Sequence, residues 1–282
     1  MVYCTKETVV FTDILHLTAR KGLPMFTSNA VSAHLRHSLP DMVLYDVTDS
    51  TNTRCKALAE AGAPEGTLVI AGSQTAGRGR MGRSFFSPED TGLYMSLLLR
   101  PAIPPEEALS ITTCAAVCVS EAIEALSRKA AGIKWVNDVY LDGKKVCGIL
   151  TEAAFAPDGN ALRYAVLGIG INITAPAGDF PPELASIAAS VFGSTAEDLR
   201  PRLAAEIVNR FFDWYPGLTK KPFYDGYRDR LFLRNRPVQV LWGGHTGSGI
   251  CLDVDRDFRL LVQMDDGTLQ RISSGEVSVK PV

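Results

Sequence analysis

Several things are scarce in this 282-residue sequence, and each scarcity removes a class of function. No apolar run approaches the roughly 18 residues needed to span a bilayer, and the first twenty residues mix charges through their apolar positions, unlike a signal peptide. A cytoplasmic protein with no membrane partner is therefore expected. Charge of either sign is not in excess: 29 Lys and Arg stand against 31 Asp and Glu, a net charge of −2. There is no global field to hold a nucleic acid, so any anion site must be local. The six cysteines (Cys4, Cys55, Cys114, Cys118, Cys147 and Cys251) form no CxxC pair, and a cytosolic setting argues against disulfides. The four histidines make no HExxH pattern, so neither a zinc site nor a histidine-driven nucleophile is indicated.

What is present is an ordinary soluble composition, 46% hydrophobic and 21% charged, long enough for about two domains. Residues 1–41 carry only a weak amphipathic pattern (Val9, Val10, Ile14, Leu17) and read as an N-terminal arm packed on the domain that begins at Met42. Residues 42–233 alternate strand and helix signals. Strands are expected at Met42 to Val47, Thr67 to Ala71, Leu93 to Leu99, Ile133 to Val136, Val139 to Leu141, Val146 to Thr151 and Tyr164 to Ile173. Helices are expected after Asp49-Ser50-Thr51-Asn52, four N-cap candidates in a row, over Pro105 to Ser127, Ala196 to Trp214 and Phe223 to Leu231. Asp142-Gly143 marks a hairpin. From 234 to 282, five short alternating strands separated by Gly and Asp turns imply a small β-barrel.

The stretch that concentrates chemistry is Gly77 to Arg83, GRGRMGR, with three glycines, three arginines and no acid. Glycine frees the backbone to approach a ligand, and arginine brings a permanently charged planar fork suited to phosphate and carboxylate. The pattern predicts a mobile cationic loop that closes over an anion. Its glycines satisfy GxGxxG, but Pro88 and Gly92 preclude the helix that a dinucleotide fingerprint requires. Gly168 and Gly170 inside a strand mark either a bulge or a close approach.

Taken in order, Asp49-Ser50-Thr51-Asn52, Gln74, the GRGRMGR loop with Ser87-Pro88, Lys134-Trp135 with Asn137-Asp138, Lys145 with Gly148-Ile149, Gly168-Ile169-Gly170 with Asn172, and Gly275-Glu276-Val277-Ser278-Val279 resemble the biotin–protein ligases (biotin–acetyl-CoA-carboxylase ligases) over residues 42–282. The resemblance implies an α+β fold: a central mixed-sheet catalytic domain of the class II synthetase and biotin ligase kind, followed by an SH3-like barrel. It implies activation of biotin by ATP to biotinyl-5′-AMP and transfer to a lysine of a biotin carboxyl carrier protein. By the same resemblance Lys145, Arg80 and Arg83 are catalytic. Ser50, Thr51, Asn52, Gln74, Gly77, Arg78, Arg80, Trp135, Lys145, Gly148, Gly168 and Gly170 hold biotin. Arg80, Arg83, Phe85, Lys134, Asn137, Asp138 and Asn172 hold ATP, and Asp138 holds Mg²⁺.

The chain departs from the family pattern at Val136, where proline is usual, and at Ser84 and Phe85, where relatives often have a basic residue and a tryptophan. The first change removes no charge or donor; the second bears on the details of nucleotide contact. Residues 1–41 are short for the winged helix-turn-helix of repressor relatives, so the ligase-only form, without a DNA partner, is expected. The resemblance leaves a homodimer open. Two alternatives share part of this pattern: a lipoate–protein ligase, which has the same central fold, and a non-enzymatic biotin-responsive regulator. A single-strand-binding role would need aromatics interleaved with basic residues, and these are absent.

Overall fold

A computed structural model describes residues 26–193, 197–242, 245–273 and 277–281. The amphipathic pattern expected around residues 9–17, the start of the helix expected at Ala196, the Gly243-Gly244 turn and the Gly275-Glu276 match lie outside the described residues. In chain order the elements are α1 (Ser28–Ser32), β1 (Met42–Thr48), α2 (Thr51–Glu60), β2 (Leu68–Gln74), β3 (Gly92–Leu99), α3 (Leu109–Ser127), β4 (Gly132–Lys134), β5 (Asp138–Leu141), β6 (Lys144–Phe155) and β7 (Leu162–Asn172). Next come α4 (Pro182–Ala185), α5 (Arg200–Trp214), α6 (Tyr224–Arg230), β8 (Arg236–Trp242), β9 (His245–Val254), β10 (Leu260–Met264), β11 (Leu269–Ile272) and β12 (Val277–Pro281).

Seven strands form one mixed sheet in the order β1-β2-β3-β7-β6-β5-β4. Only β1 and β2 run parallel, joined by α2; every other pair is antiparallel. The interior strand β3 is buried along its whole length, so its apolar residues serve two faces and do not alternate. The hairpin at Asp142-Gly143 has both residues at positive φ (50° and 77°), the backbone that a two-residue turn between twisted strands demands. β6 and β7 pair from Cys147↔Ile171 to Phe155↔Leu162, with their one irregularity at Ala154/Phe155. Gly168 and Gly170 therefore mark no bulge.

Helix α3 packs its apolar length on the sheet and on α5, whose Leu203, Ile207, Val208 and Phe211 are buried. The stretch Pro105–Ser127 includes helix α3. By length and composition it could cross a membrane, yet most of it is buried inside the fold. Its Ser, Thr and Glu residues interrupt the apolar run without lowering its average enough to exclude it. Short α1 is held by Asn209 of α5, whose side chain accepts from Arg36 N at 2.7 Å and donates to His34 O at 2.9 Å.

The C-terminal strands form a five-stranded antiparallel sheet, β11-β10-β9-β8-β12. The architecture is thus α+β, a mixed-sheet domain followed by an SH3-like unit. An aromatic cluster joins the two. Phe258 stacks on Phe223 (centroids 5.6 Å apart, planes at 4°) and meets Tyr227 edge-on at 5.2 Å, while Trp135 Nε1 donates to the Phe258 carbonyl at 2.7 Å.

Candidate active site

The site lies on one face of the central sheet, where α2, the arginine loop and the β5–β6–β7 strands meet. Strand pairing sets its floor: Gly148 lies opposite Gly170, Leu150 opposite Gly168, and Glu152 opposite Val166. Alternation puts these six on a common face. The missing side chains leave room that other residues fill. A Cβ on Gly170 would stand 2.6 Å from Phe85 Cε1, and one on Gly148 would stand 3.2 Å from Phe85 Cε2. Phe85 therefore lies over the glycine pair. A Cβ on Gly168 would collide with Asn52 Oδ1. This is the close approach that glycine in a strand announces.

Two hollows adjoin on this face. One, about 140 Å³, is lined by Arg78, Gly79, Arg80, Arg83, Lys134, Trp135, Asn137, Asp138 and Lys145, with Met81 and Ser84 at its rim. The other, about 20 Å³, is a slot lined by Ser50, Thr51, Asn52, Gln74, Gly168, Ile169 and Gly170. Arg78, Phe85, Gly148 and Leu150 line both. Such a slot has space for about one water, so a larger ligand must displace Phe85 or Arg78 to enter.

The slot is built from a helix start whose cap has been reassigned. Ser50 is the N-cap of α2, but its hydroxyl makes no capping bond. Instead Thr51 N donates to Gln74 Oε1 on β2 at 2.8 Å, and Gln74 Nε2 donates to Ser87 Oγ at 2.8 Å. Ser96 Oγ lies 2.8 Å from Thr51 Oγ1 and 2.6 Å from Asn52 Oδ1. Asn52 Nδ2 donates to Glu152 Oε2 at 2.9 Å. Ser50, Thr51 and Asn52 are all buried. A continuous polar network thus runs from Glu152 to the stem of the arginine loop.

The loop itself is a small hairpin. Arg78 bridges Ser84, Gly79 N donates to Arg83 O at 2.7 Å, and Arg83 N donates to Arg80 O at 3.2 Å. Met81 and Gly82 both take positive φ (55° and 72°), the geometry of a tight two-residue turn. This placement separates the three arginines. Arg78 pairs with Glu152 at 3.0 Å. Arg80 donates to Asn137 Oδ1 at 3.0 Å. Burial pulls its pKa down, Asp138 opposes that, and a guanidinium stays charged regardless. Arg83 is exposed at the mouth.

In the larger hollow Lys145 Nζ lies 2.8 Å from Asp138 Oδ1. That oxygen is buried and no donor is aligned on it as a hydrogen bond, so the contact is an ion pair. Asn137 Nδ2 donates to Ile149 O at 2.8 Å. The Lys145 backbone is gripped by a segment about forty residues on: its N–H donates to Ile187 O at 2.8 Å, and Ala189 N donates to its carbonyl at 2.9 Å. Lys144, next door, reaches Ala185 O on the surface.

The structure brings most of the sequence-selected residues to the two hollows. Asn172 lines neither and donates to Ala189 O at 3.1 Å. Gly77 sits beneath them, where a Cβ would strike Phe85 O. Trp135 borders the larger hollow and not the slot. The Trp135–Val136 peptide is cis, and the Val136 carbonyl accepts from Tyr227 OH at 3.1 Å. Sequence reasoning missed Glu152, Lys56, Ser96 and Leu150. For Glu152 a signal existed: it is the one acid in a strand whose other residues past Lys145 are apolar or uncharged. Ser96 sits in an apolar strand too, but nothing in the sequence marks its partners.

A sheet carrying an anion-ready hollow beside a polar slot, followed by a small barrel, is an architecture shared with enzymes of the ligase class. Two family models agree: the Biotin/lipoate A/B protein ligase family matches residues 44–172, and the Biotin protein ligase C terminal domain matches residues 235–280. The chain is 34% identical over 253 residues to the Bifunctional ligase/repressor BirA of Bacillus spizizenii, covering 84% of this chain and 74% of that protein. It is 33% identical over 239 residues to the Biotin--[acetyl-CoA-carboxylase] ligase of Mycobacterium tuberculosis, covering 82% and 85%. Among solved structures, the biotin protein ligase from Aquifex aeolicus in complex with biotin and ATP superposes with a TM-score of 0.71 at 28% identity, covering 86% of this chain and all of that one. The chain belongs to the biotin protein ligase family.

Proposed function

We propose that this chain joins biotin and ATP to give biotinyl-5′-AMP and pyrophosphate, then passes the biotinyl group to one lysine of a biotin carboxyl carrier protein. The catalytic unit is residues 42–233, with the barrel at 234–282. The observation that carries the reading is the adjacency of the two hollows, which share Arg78, Phe85, Gly148 and Leu150 as lining. A ring held in the polar slot would present its carboxylate to a phosphate held in the cationic hollow.

In this reading Arg80 and Lys145 offset the repulsion between the attacking carboxylate and the α-phosphate. The carboxylate oxygen bonds to phosphorus as pyrophosphate leaves. In the second step the carrier amine bonds to the acyl carbon and AMP departs. The loop that contains Arg80 keeps water from the anhydride between these steps. Asp138 suits Mg²⁺: one of its oxygens is buried without a hydrogen bond. No cluster of three or more His, Cys, Asp or Glu occurs among the described residues, so the ion would complete its shell from phosphates and water. Bound there, Mg²⁺ would supply charge neutralisation on the phosphates.

The test is ATP–pyrophosphate exchange with biotin, with lipoate and with neither. Exchange that requires biotin is expected. Exchange driven by lipoate and not by biotin would overturn the reading.

A further inference from the structure

Outside the residues assigned above, one acid holds three elements of the site together. Glu152 projects from β6 at the far end of the slot floor, two residues beyond Leu150. Lys56 Nζ reaches its Oε1 at 2.5 Å and Arg78 reaches the same oxygen at 3.0 Å, while Asn52 Nδ2 donates to its other oxygen at 2.9 Å. The carboxylate is one-sixth exposed; Arg78 is nearly half exposed. Burial disfavours the charge on Glu152, but the bonds from Lys56 and Asn52 and the charges of Lys56 and Arg78 outweigh it and hold its pKa below the ordinary value.

The register makes this pair a crossing. Arg78 belongs to the loop that covers the Gly148/Gly170 end, and Glu152 lies two residue pairs further along the same face. To reach it, the Arg78 side chain passes over the slot, and Arg78 is the one charged residue that lines it. We infer that the Glu152–Arg78 pair is a clasp that fastens the arginine loop across the slot and keeps a bound ligand from leaving. Glu152 is thus a positioning residue, acting through Arg78 and Asn52. The inference rests on the reading of the slot as the biotin site. The three loop arginines then divide the work: Arg78 fastens, Arg80 faces the reacting groups, and Arg83 stands at the mouth.

The experiment compares wild type, Glu152→Gln, Arg78→Gln and the double variant. Glutamine retains an acceptor for Asn52 and removes only the charge. Four quantities are read: the biotin dissociation rate by stopped flow, the KM for biotin, kcat in ATP–pyrophosphate exchange, and biotin appearing on a bystander protein. The contact is a charge-assisted bond at a partly exposed pair, so a change of about threefold to tenfold is expected in dissociation rate and KM. In Glu152→Gln kcat should move less than about twofold, and bystander labelling should rise. The double variant should be no worse than either single one, because each removes the same contact. Unchanged or slower dissociation from Glu152→Gln would overturn the clasp, as would multiplying effects in the double variant. Urea midpoints separate a general loss of stability, which would lower kcat and the midpoint together. If wild type shows no biotin-dependent exchange, the functional reading fails and not the clasp alone.

Discussion

Lys145 and Asp138 form the closest charge pair in the larger hollow, at 2.8 Å. Lys145→Ala should lower adenylate formation by about a hundredfold or more, the scale of removing one charge-stabilising donor. Stability should change by under about 1 kcal/mol, because the pair is partly exposed. Lys144→Ala, on the same hairpin, is the control and should leave exchange within about twofold. Asp138→Ala should abolish the ATP-dependent step yet still transfer biotin from pre-made biotinyl-adenylate, as a half-reaction assay would show. At Glu152 the same scale yields a pH dependence. Its folded pKa is depressed, so the clasp is fully charged above the ordinary value of 4.5 and is lost as pH falls through the lower folded value. The KM for biotin should stay flat from neutral pH down to that ordinary value and climb only below it. Lys145 and Asp138 stood out in the sequence only through their match to the family pattern, and Arg80 through the glycine- and arginine-rich loop that holds it. Their partners did not stand out. That Arg78 is paired with Glu152 while Arg83 is exposed depends on contacts between distant parts of the chain, which no local pattern encodes.

At the scale of elements, β7 supplies two glycines of the same type with different neighbours. A Cβ on Gly170 meets the Phe85 ring, which can swing away; one on Gly168 meets Asn52, pinned by Ser96 and Glu152. Gly168→Ala should therefore destabilise the protein by about 1–3 kcal/mol more than Gly170→Ala, as a difference in urea midpoints. Gly170→Ala should act chiefly through raised KM values. The strand sequence revealed that something approached these glycines, and left a bulge equally open; only the straight β6–β7 register decides between them. The start of α2 shows the converse. Four successive cap residues pointed to the right position, but the capping acceptor comes from Gln74 on β2. A helix that yields its own cap frees hydroxyls for a ligand, at a cost that a remote side chain offsets.

At the scale of the whole molecule, the barrel touches the chemistry through one turn. Trp135 donates to Phe258 O while Lys134 and Asn137, on either side of it, line the larger hollow. Trp135→Phe keeps the ring bulk and strands that carbonyl, a loss of about 1–3 kcal/mol. Chemical denaturation should report it, together with a raised KM for ATP. The two-unit architecture was legible because strand periodicity and turn residues change near residue 234. The contact between the units was not, since the sequence offers several aromatics and does not say which meet. Within the larger sheet, the Lys145 peptide is held on one edge by β5 and on the other by the segment at Ile187 to Ala189. A long aliphatic stem places its ammonium accurately only if its root stays still. The Lys145 amide should therefore exchange with deuterium on the slow timescale of the sheet interior, although its side chain reaches a solvent-filled mouth. Motion at this site would then be confined to the methylenes of one side chain.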